Sequence, residues 1–513
     1  MSPDVALPGK AVDGDWRRVH PASPFMRGWV ALAAVLYFFG RDSFERVLQG
    51  REFLDPHLNG RVLWLLAGGG AVLLLAVGGF VLSWYFTRYQ VAEGYVRVNT
   101  GWLFKQQRQA RLDRVQAIDI VQPLLARIFG LAELKFEVAD AGQSAVRLAY
   151  LPLAQAKQLR AAILARAAGV VTGQETVEEV PEAPEQQVLS VPPARLIGSL
   201  VLSEQTVGIV LAAAASVALS VYTENSAVFL ALIPAILGIG AAYWRSFNKG
   251  YNFTAAISPD GIRLRYGLLD TQAQTVPPGR IQALKITQSP LWRVFGWYRM
   301  HVNVAGYGGA HGNENAARTT LLPVGHKADV MTMLSLVLPD PGVDDPYGAF
   351  TAGLQGIAPA SGGDVDGFTT TPRRAWLLSP LSWRRNGFLA TSTALLLRSG
   401  RWWRTLVLVP HQRTQSMALH QGPLARRFRV ADLVLHTTAG PVAPRLYQAD
   451  VGQAVQLFDQ QSARAREARK RQTSEQWLAQ LSFHPSAAEP RPPAAETNTA
   501  ETNTTTQEDP QHG

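Results

Sequence analysis

The sequence predicts a membrane α + β protein in which two transmembrane helical hairpins carry three copies of a strand-rich module, each closed by a helix. Three observations predict it. Two pairs of long uncharged segments interrupt the chain, and one polar motif recurs three times at fixed internal spacing. Only 17% of the 513 residues are charged, where soluble proteins average about 25%.

The uncharged segments come first. Val62 to Phe86 runs 25 residues without a charge, a helix of about 37 Å that can cross a ~30 Å hydrocarbon core with some tilt. Ser226 to Trp244 and Thr206 to Tyr222 are uncharged over 19 and 17 residues. Gly28 to Gly40 covers only about 20 Å, so to span it must extend past Arg27, which can snorkel to the headgroups; otherwise it is a buried or interfacial helix. The loop Arg41 to Arg61 balances four Arg against four acids, and Thr223 to Asn225 has no cation. Arg17, Arg18 and Arg27, then Arg88, Arg97, Lys105, Arg108 and Arg111, then Arg245 and Lys249 flank the hairpins on the other side. This bias predicts a multi-pass protein of the plasma membrane with both termini cytoplasmic. Trp29, Trp84, Tyr85, Tyr243 and Trp244 fall at the inner boundary, where amphipathic rings settle. The spans hold no ionisable group, which argues for anchors rather than an ion path. Ala212, Ser216 and Ser220, and Ala227, Ala231 and Ala235, line faces small enough for close helix contact, so homo-oligomers through the hairpins are expected.

The repeat is an Arg-x-Gln pair, a second Gln six residues on, then Leu-x-Arg-x-Phe. Its copies are Arg114, Gln116, Gln122, Leu125, Arg127 and Phe129; Arg280, Gln282, Gln288, Leu291, Arg293 and Phe295; and Arg413, Gln415, Gln421, Leu424, Arg426 and Phe428. A glycine precedes each first Arg by 13 residues: Gly101, Gly267 and Gly400. Asn99-Thr100-Gly101 and Ser399-Gly400 have the composition of hairpin turns. The stretch from Arg to second Gln alternates with period two, so Arg280, Gln282, Leu284, Ile286 and Gln288 share one strand face. A Pro, a short helical turn and another alternating strand follow. Helices close the copies at Ala154 to Ala167, Ala328 to Val337 and about Ala449 to Arg471.

With this signature, and with the order hairpin, module, hairpin, module, module, the chain resembles bacterial membrane proteins of the YdbT type over roughly residues 25 to 466. Their repeated unit is a bacterial pleckstrin-homology (PH) domain. The resemblance implies a PH-like module, a small, partly open barrel of strands capped by a C-terminal helix, at the membrane; it adds little about mechanism. Copy three departs in lacking a hairpin directly before it, and in having Arg429 where the others have Gly130 and Gly296. The expected organisation is a polar segment 1–23, hairpin one 24–86, module one 87–168, an acidic, Pro-bearing linker 169–194 and hairpin two 195–246. Module two 247–338, a Gly/Pro-rich linker 339–372, module three with its basic helix 373–472 and a mostly disordered tail 473–513 complete it.

Net charge is +10 and there is no cysteine. The surface therefore favours anions, and disulfides, thiolate metal sites and cysteine nucleophiles are excluded. The polar N-terminus lacks the cleavage pattern of a signal peptide. From Arg373 to Arg429 there are eleven Arg and no acid, with Trp376, Trp383, Trp402 and Trp403 interleaved. Such a block is either a docking surface for anionic headgroups, with Arg384, Arg385, Arg398, Arg401, Arg404, Arg426, Arg427, Arg429, Trp402 and Trp403 as candidates, or a solvated basic face over core Trp. Nucleic acid is not expected as a partner, because the chain is anchored and carries no recognised motif. The repeated Arg and Gln read as architecture, satisfying strand-end and helix-end backbone groups, or as a shared polar ligand site.

Gly306 to Gly312 is glycine-rich but lacks phosphate-loop spacing. Histidines are scattered, and there is no Gly-x-Ser-x-Gly elbow. No catalytic residue, metal or cofactor is expected. The leading expectation is a non-enzymatic scaffold binding membrane lipids or a protein partner. An accessory subunit of a transporter or an envelope-stress or export system is the alternative, and lipid passage along the hairpins a third reading.

Overall fold

The computed structural model describes residues 16–23, 25–26, 70, 74–75, 77–92, 95–101, 105–111, 115–138, 146–167, 186–224, 227–258, 261–305, 319–359, 364 and 366–471. The expected helix at Gly28 to Gly40, most of the Val62 to Phe86 span, Arg114, the loop at 306–312 and the tail beyond residue 471 lie outside the described residues.

The strands form four antiparallel sheets. The first joins β1 (Arg17–Arg18), β2 (Arg88–Ala92), β3 (Tyr95–Thr100) and β4 (Gln106–Arg111) in that order. The second takes β5 (Val115–Gln122), β6 (Leu131–Val138) and β7 (Val146–Pro152) from module one. Its other strands, β8 (Gln186–Ser190), β9 (Thr254–Ser258), β10 (Gly261–Tyr266) and β11 (Thr271–Val276), come from module two, in the order β7-β6-β5-β11-β10-β9-β8. The third repeats this one module later. There β12 (Ile281–Gln288), β13 (Tyr298–Val304) and β14 (Thr320–Gly325) continue into β15 (Thr369–Thr370), β16 (Gly387–Ala390), β17 (Ala394–Ser399) and β18 (Arg404–Pro410), ordered β14-β13-β12-β18-β17-β16-β15. The last holds β19 (Ser416–His420), β20 (Val430–His436) and β21 (Arg445–Asp450).

Each module is thus a four-stranded front half and a three-stranded back half, and the back halves of modules one and two each extend the front half of the next module as one sheet. The two junctions share one register. Gln122 faces Thr271 and Gln288 faces Arg404, in each case the residue four positions after the turn glycine. Gly101, Gly267 and Gly400 all take positive φ (90°, 117° and 73°), and a Cβ at the latter two would collide with the carbonyls of Asp270 and Trp403. Only glycine holds that turn without strain.

The helices follow. Beyond Val77–Phe86 (α1) come α2 (Leu124–Ile128), α3 (Leu153–Ala167), α4 (Pro193–Val201), α5 (Glu204–Thr223), α6 (Ala227–Gly250), α7 (Lys327–Val337), α8 (Pro346–Gln355), α9 (Pro423–Arg427) and α10 (Val451–Arg471). The module-closing helices α3, α7 and α10 lie within a residue or two of their expected positions. One described helix, α5, is long and apolar enough to cross a membrane. It packs along α6. One cluster of buried apolar residues serves module one, with Val96, Ile118, Leu134, Phe136 and Leu148 at its centre. A second runs through module two into the front half of module three, from Ile262 and Met300 to Leu396 and Leu408.

Two features differ from the expected organisation. The first strand of each module lies before the helical segment, so residues 19–87 and 191–253 are insertions between strands one and two rather than separate preceding units. Residues 339–372, expected as a linker, contain α8. Asp345 caps its start by accepting from the Gly348 amide at 2.8 Å, with Pro346 at the first helical position, a start signal that composition alone obscured.

Candidate functional site

The insertion point is the same in all three modules. Arg18 pairs with Arg88, Ser190 with Thr254, and Thr370 with Gly387. The gap is closed alike by Val191 N–H to Phe253 O (2.9 Å) in module two and Thr371 N–H to Asn386 O (3.0 Å) in module three. Modules one and two insert long, apolar stretches there. Module three inserts only residues 371–386, which contain a 3-10 turn at Arg373–Leu377. That short loop exposes Trp376 (50%), Leu377 (58%) and Leu381 (59%). Module three therefore has an apolar projection where the expected organisation gave it nothing, and Leu377 and Leu381 are residues the sequence reading missed.

The repeat signature adjoins this end. In each module the second Gln donates its amide to the backbone carbonyl nine residues on: Gln122 to Leu131 (3.1 Å), Gln288 to Trp297 (3.3 Å) and Gln421 to Val430 (3.1 Å). This bond closes the turn between the back half's first two strands. Gln282, also buried, donates to the Arg280 carbonyl, whereas Gln415 is exposed. The second Arg of the motif does not cap its own helical turn. Arg127 donates to the Leu268 carbonyl at 3.3 Å, and Arg293 to the carbonyls of Arg401 and Trp402, so both reach the hairpin of the following module. Of the first arginines, Arg413 donates back to the Gly279 carbonyl of module two. Leu124, Ile128 and Phe129, then Leu291, Val294 and Phe295, then Leu424 are exposed beside these arginines, while Phe428 is half-buried.

The base of α5 and α6 meets the same surface. Trp292 donates its indole N–H to the Ser199 carbonyl of α4 (3.1 Å), and the Trp297 ring lies against Gly198. The hairpin after Gly267 is tied to Asn248 at the end of α6 through the Leu268 amide (3.0 Å) and the Leu269 amide (2.6 Å). An open apolar groove of ≈ 320 Å³ lies between α4 and α6, lined by Ile197, Val201, Tyr243, Trp244 and Phe247 among others. Around the first insertion, Arg18 lies over the Tyr85 ring at 4.5 Å, and Trp84 donates to the Val19 carbonyl.

The arginine block divides. Arg401, Arg426, Arg427, Arg429, Trp402 and Trp403 are exposed, and Arg384 and Arg404 are half-buried, Arg384 donating to the Ala358 carbonyl at 2.7 Å. Arg385 and Arg398, expected on the lipid surface, are instead buried at 1% exposure. Arg385 donates to the carbonyls of Gly353 (2.8 Å) and Gly356 (3.0 Å), and Arg398 donates to Ala352 (3.2 Å) and lies over the Phe368 ring. These carbonyls lie at the C-terminal end of α8, where Ala352 O also accepts the Gly356 amide and those of Gly353 and Gly356 lie past the last helical bond, so two cations complete its negative end. Burial, reinforced by Arg404, Arg398 and Arg293, pushes Arg385 down to about 9; burial likewise takes Arg398 to about 10. Both stay charged at neutral pH. The left-handed turn closed by Gly130 (φ 64°) and Gly296 (φ 63°) is kept in module three with Arg429 at φ 51°.

Paired half-sheets, a closing helix and a shared insertion point define a protein of tandem PH-like modules. The bacterial PH domain model matches residues 43–167, 200–338 and 348–465, and the chain belongs to that family. It is 22% identical over 296 residues to the UPF0699 transmembrane protein YdbT of Bacillus subtilis (strain 168), covering 53% of this chain and 60% of that protein. The chain thus spans less than two thirds of this relative's length. No solved structure matches.

Proposed function

We propose that the chain is a non-enzymatic integral membrane protein, anchored by two hairpins, whose three cytoplasmic PH-like modules lie against the inner face of the plasma membrane and bind anionic headgroups. One observation carries the reading. Module three places Trp376, Leu377 and Leu381 where the other modules insert long apolar stretches, with exposed Arg401, Arg426, Arg427 and Arg429 in the same module. Apolar side chains can enter the interface there while the guanidiniums face headgroup phosphates, each contributing about 1 kcal/mol near an anionic surface. Trp402 and Trp403, exposed beside the carbonyls that Arg293 holds, are further candidates to enter the interface.

The test uses the full chain in nanodiscs containing lipids brominated on their acyl chains. Brominated phosphatidylglycerol is expected to quench the wild type more than a variant carrying Trp376→Phe, Trp402→Phe and Trp403→Phe. The difference should shrink in phosphatidylcholine and in high salt. Equal differences in both lipids would remove the electrostatic account, and no difference in either would take these rings off the bilayer.

A further inference from the structure

We propose that chains associate head to tail, with β19 of one copy pairing antiparallel with β4 of the next in the register that joins modules within the chain. The inference goes beyond lipid docking and rests on the two unpaired strand edges; in it Arg426 latches the neighbouring copy in place of a headgroup.

The argument is one of quasi-equivalence. Among the described residues, three modules make two junctions, which leaves one unfilled half at each end. The first strand of the back half is β5, β12 or β19. In modules one and two it is central in a seven-stranded sheet, and Ile118, Ile120, Ile281, Ala283, Leu284 and Ile286 are buried. In module three it is the sheet edge; Ser416, Leu419 and His420 are exposed. The last strand of the front half is β4, β11 or β18. Val276 and Val409 are buried in the joined copies, whereas Gln106, Gln107, Arg108, Gln109 and Arg111 of β4 are exposed, and β4 pairs only with β3. Among the described residues there is therefore one unpaired donor edge and one unpaired acceptor edge, of kinds that already match each other twice internally.

The register can be written down. Each junction sets the closing Gln against the fourth residue after the turn glycine. Carried to the free edges, this places His420 opposite Gln106, Leu419 opposite Gln107, Ala418 opposite Arg108 and Met417 opposite Gln109. No like charges meet, because β19 contains no Lys or Arg. A polar strand is no bar: β11, Thr-Gln-Ala-Gln-Thr-Val, is joined to β5. The latch is also present. Arg127 and Arg293 each hold the next module's hairpin, while Arg426 is exposed and makes no side-chain hydrogen bond among the described residues. It would face the next copy beside the turn glycine Gly101. Such a contact is heterologous, so it builds rings or open arrays rather than closed twofold dimers. Because every module turns the same end towards its insertion, successive copies can share one membrane.

The chain has no cysteine, so crosslinks can be placed at will. Two tagged forms of the full chain, one with Leu419→Cys and one with Gln107→Cys, are co-expressed and oxidised mildly in native membranes. Directly opposed strand residues have Cα atoms about 4.5–5.5 Å apart, within disulfide range. Expected is a mixed disulfide between the two forms, with little product when Arg108→Cys replaces Gln107→Cys, because that residue points to the other sheet face. Arg426→Ala, which leaves every described side-chain bond intact, should reduce the mixed product about tenfold. Absence of the mixed product would overturn the proposal. So would equal crosslinking at positions 107 and 108, or efficient crosslinking of either form with itself, which would mean a twofold edge.

Discussion

Replacing Asn303 by Ala should uncouple module three from module two. Asn303 lies on β13 and is fully buried. Its amide donates to the carbonyls of Val442 (2.6 Å) and Thr438 (3.1 Å), and its own carbonyl accepts from the Val442 amide at 2.9 Å. One side chain thus satisfies both backbone groups of Val442, itself only 3% exposed. Ala would leave a buried N–H with no acceptor and two carbonyls short of a donor. A stranded buried group costs about 1–3 kcal/mol, and a lost bond about 1 kcal/mol. The loss should therefore total about 3–4 kcal/mol, a large part of the ~5–15 kcal/mol that holds an ordinary domain together. A single unfolding free energy is not well defined for linked modules, so the measurement is local. Hydrogen exchange at the Val442 amide should lose two to three orders of magnitude of protection, since about 1.4 kcal/mol is tenfold. Asn303→Asp should lose nearly as much, because its carboxylate can accept from the amide but repels the two carbonyls. A loss of less than tenfold in the alanine variant would refute the assignment of the clip to Asn303.

Three further outcomes follow from individual groups. His301, opposite Lys285 on the neighbouring strand, is pushed from its ordinary 6.5 to about 4 by burial and then by Arg299 and Lys285; its folded form takes up a proton later than its unfolded form does, so stability is full above about pH 6.5 and falls as pH drops to about 4. The loss approaches about 3 kcal/mol, and His301→Gln should flatten the thermal midpoint against pH over that window relative to wild type. Arg429→Gly should stabilise module three by about 1 kcal/mol, because a non-glycine residue at φ 51° costs about 1–2 kcal/mol, and the glycine gives part of that back as unfolded-state entropy; differential scanning calorimetry reads it. Arg385→Met should leave phosphatidylglycerol binding in a nanodisc assay unchanged, whereas Arg401→Met with Arg427→Met should weaken it, which separates the helix-ending arginine from the exposed ones.

What could be read from the sequence was local and periodic. The thrice-repeated signature, the turn glycines and the closing helices depend on contacts within a few tens of residues, and each left a pattern of spacing. The exchange of half-sheets did not, because which strand lies beside which is not written in either strand alone. A hint existed in β12: Ile281, Gln282, Ala283 and Leu284 are buried in succession, as in a central strand covered on both faces, while β19 is visibly more polar. The opening strands β1 (Arg17–Arg18) and β15 (Thr369–Thr370) are too short to show any period, which hid the fact that the long apolar stretches are insertions. Buried arginine is rare, so sequence alone places Arg385 and Arg398 at the surface. The carbonyls that hold them belong to α8, roughly thirty to forty-five residues earlier, in a stretch whose Gly, Pro and Asp content resembled a linker.

The signature itself has a physical explanation in the junctions. Its second Gln closes a turn inside one module, and its second Arg, five residues on, crosses to the hairpin of the next. The motif therefore encodes how one module is stacked on another as well as how it folds. In such an array each unit contacts mainly its neighbours, and a shift in one module must pass through the Arg-to-hairpin contact and the shared sheet. Module two is fixed at the base of α5 and α6 through Ser199 and Asn248, and the Arg293 contact places the hairpin of module three beside it. The short loop bearing Trp376 and Leu381 is tied to the signature of its own module, where Arg374 donates to the Phe428 and Arg429 carbonyls. The eleven arginines of module three are therefore not one block: Arg374, Arg385, Arg398 and Arg413 hold backbone carbonyls, whereas Arg401, Arg426, Arg427 and Arg429 stay exposed.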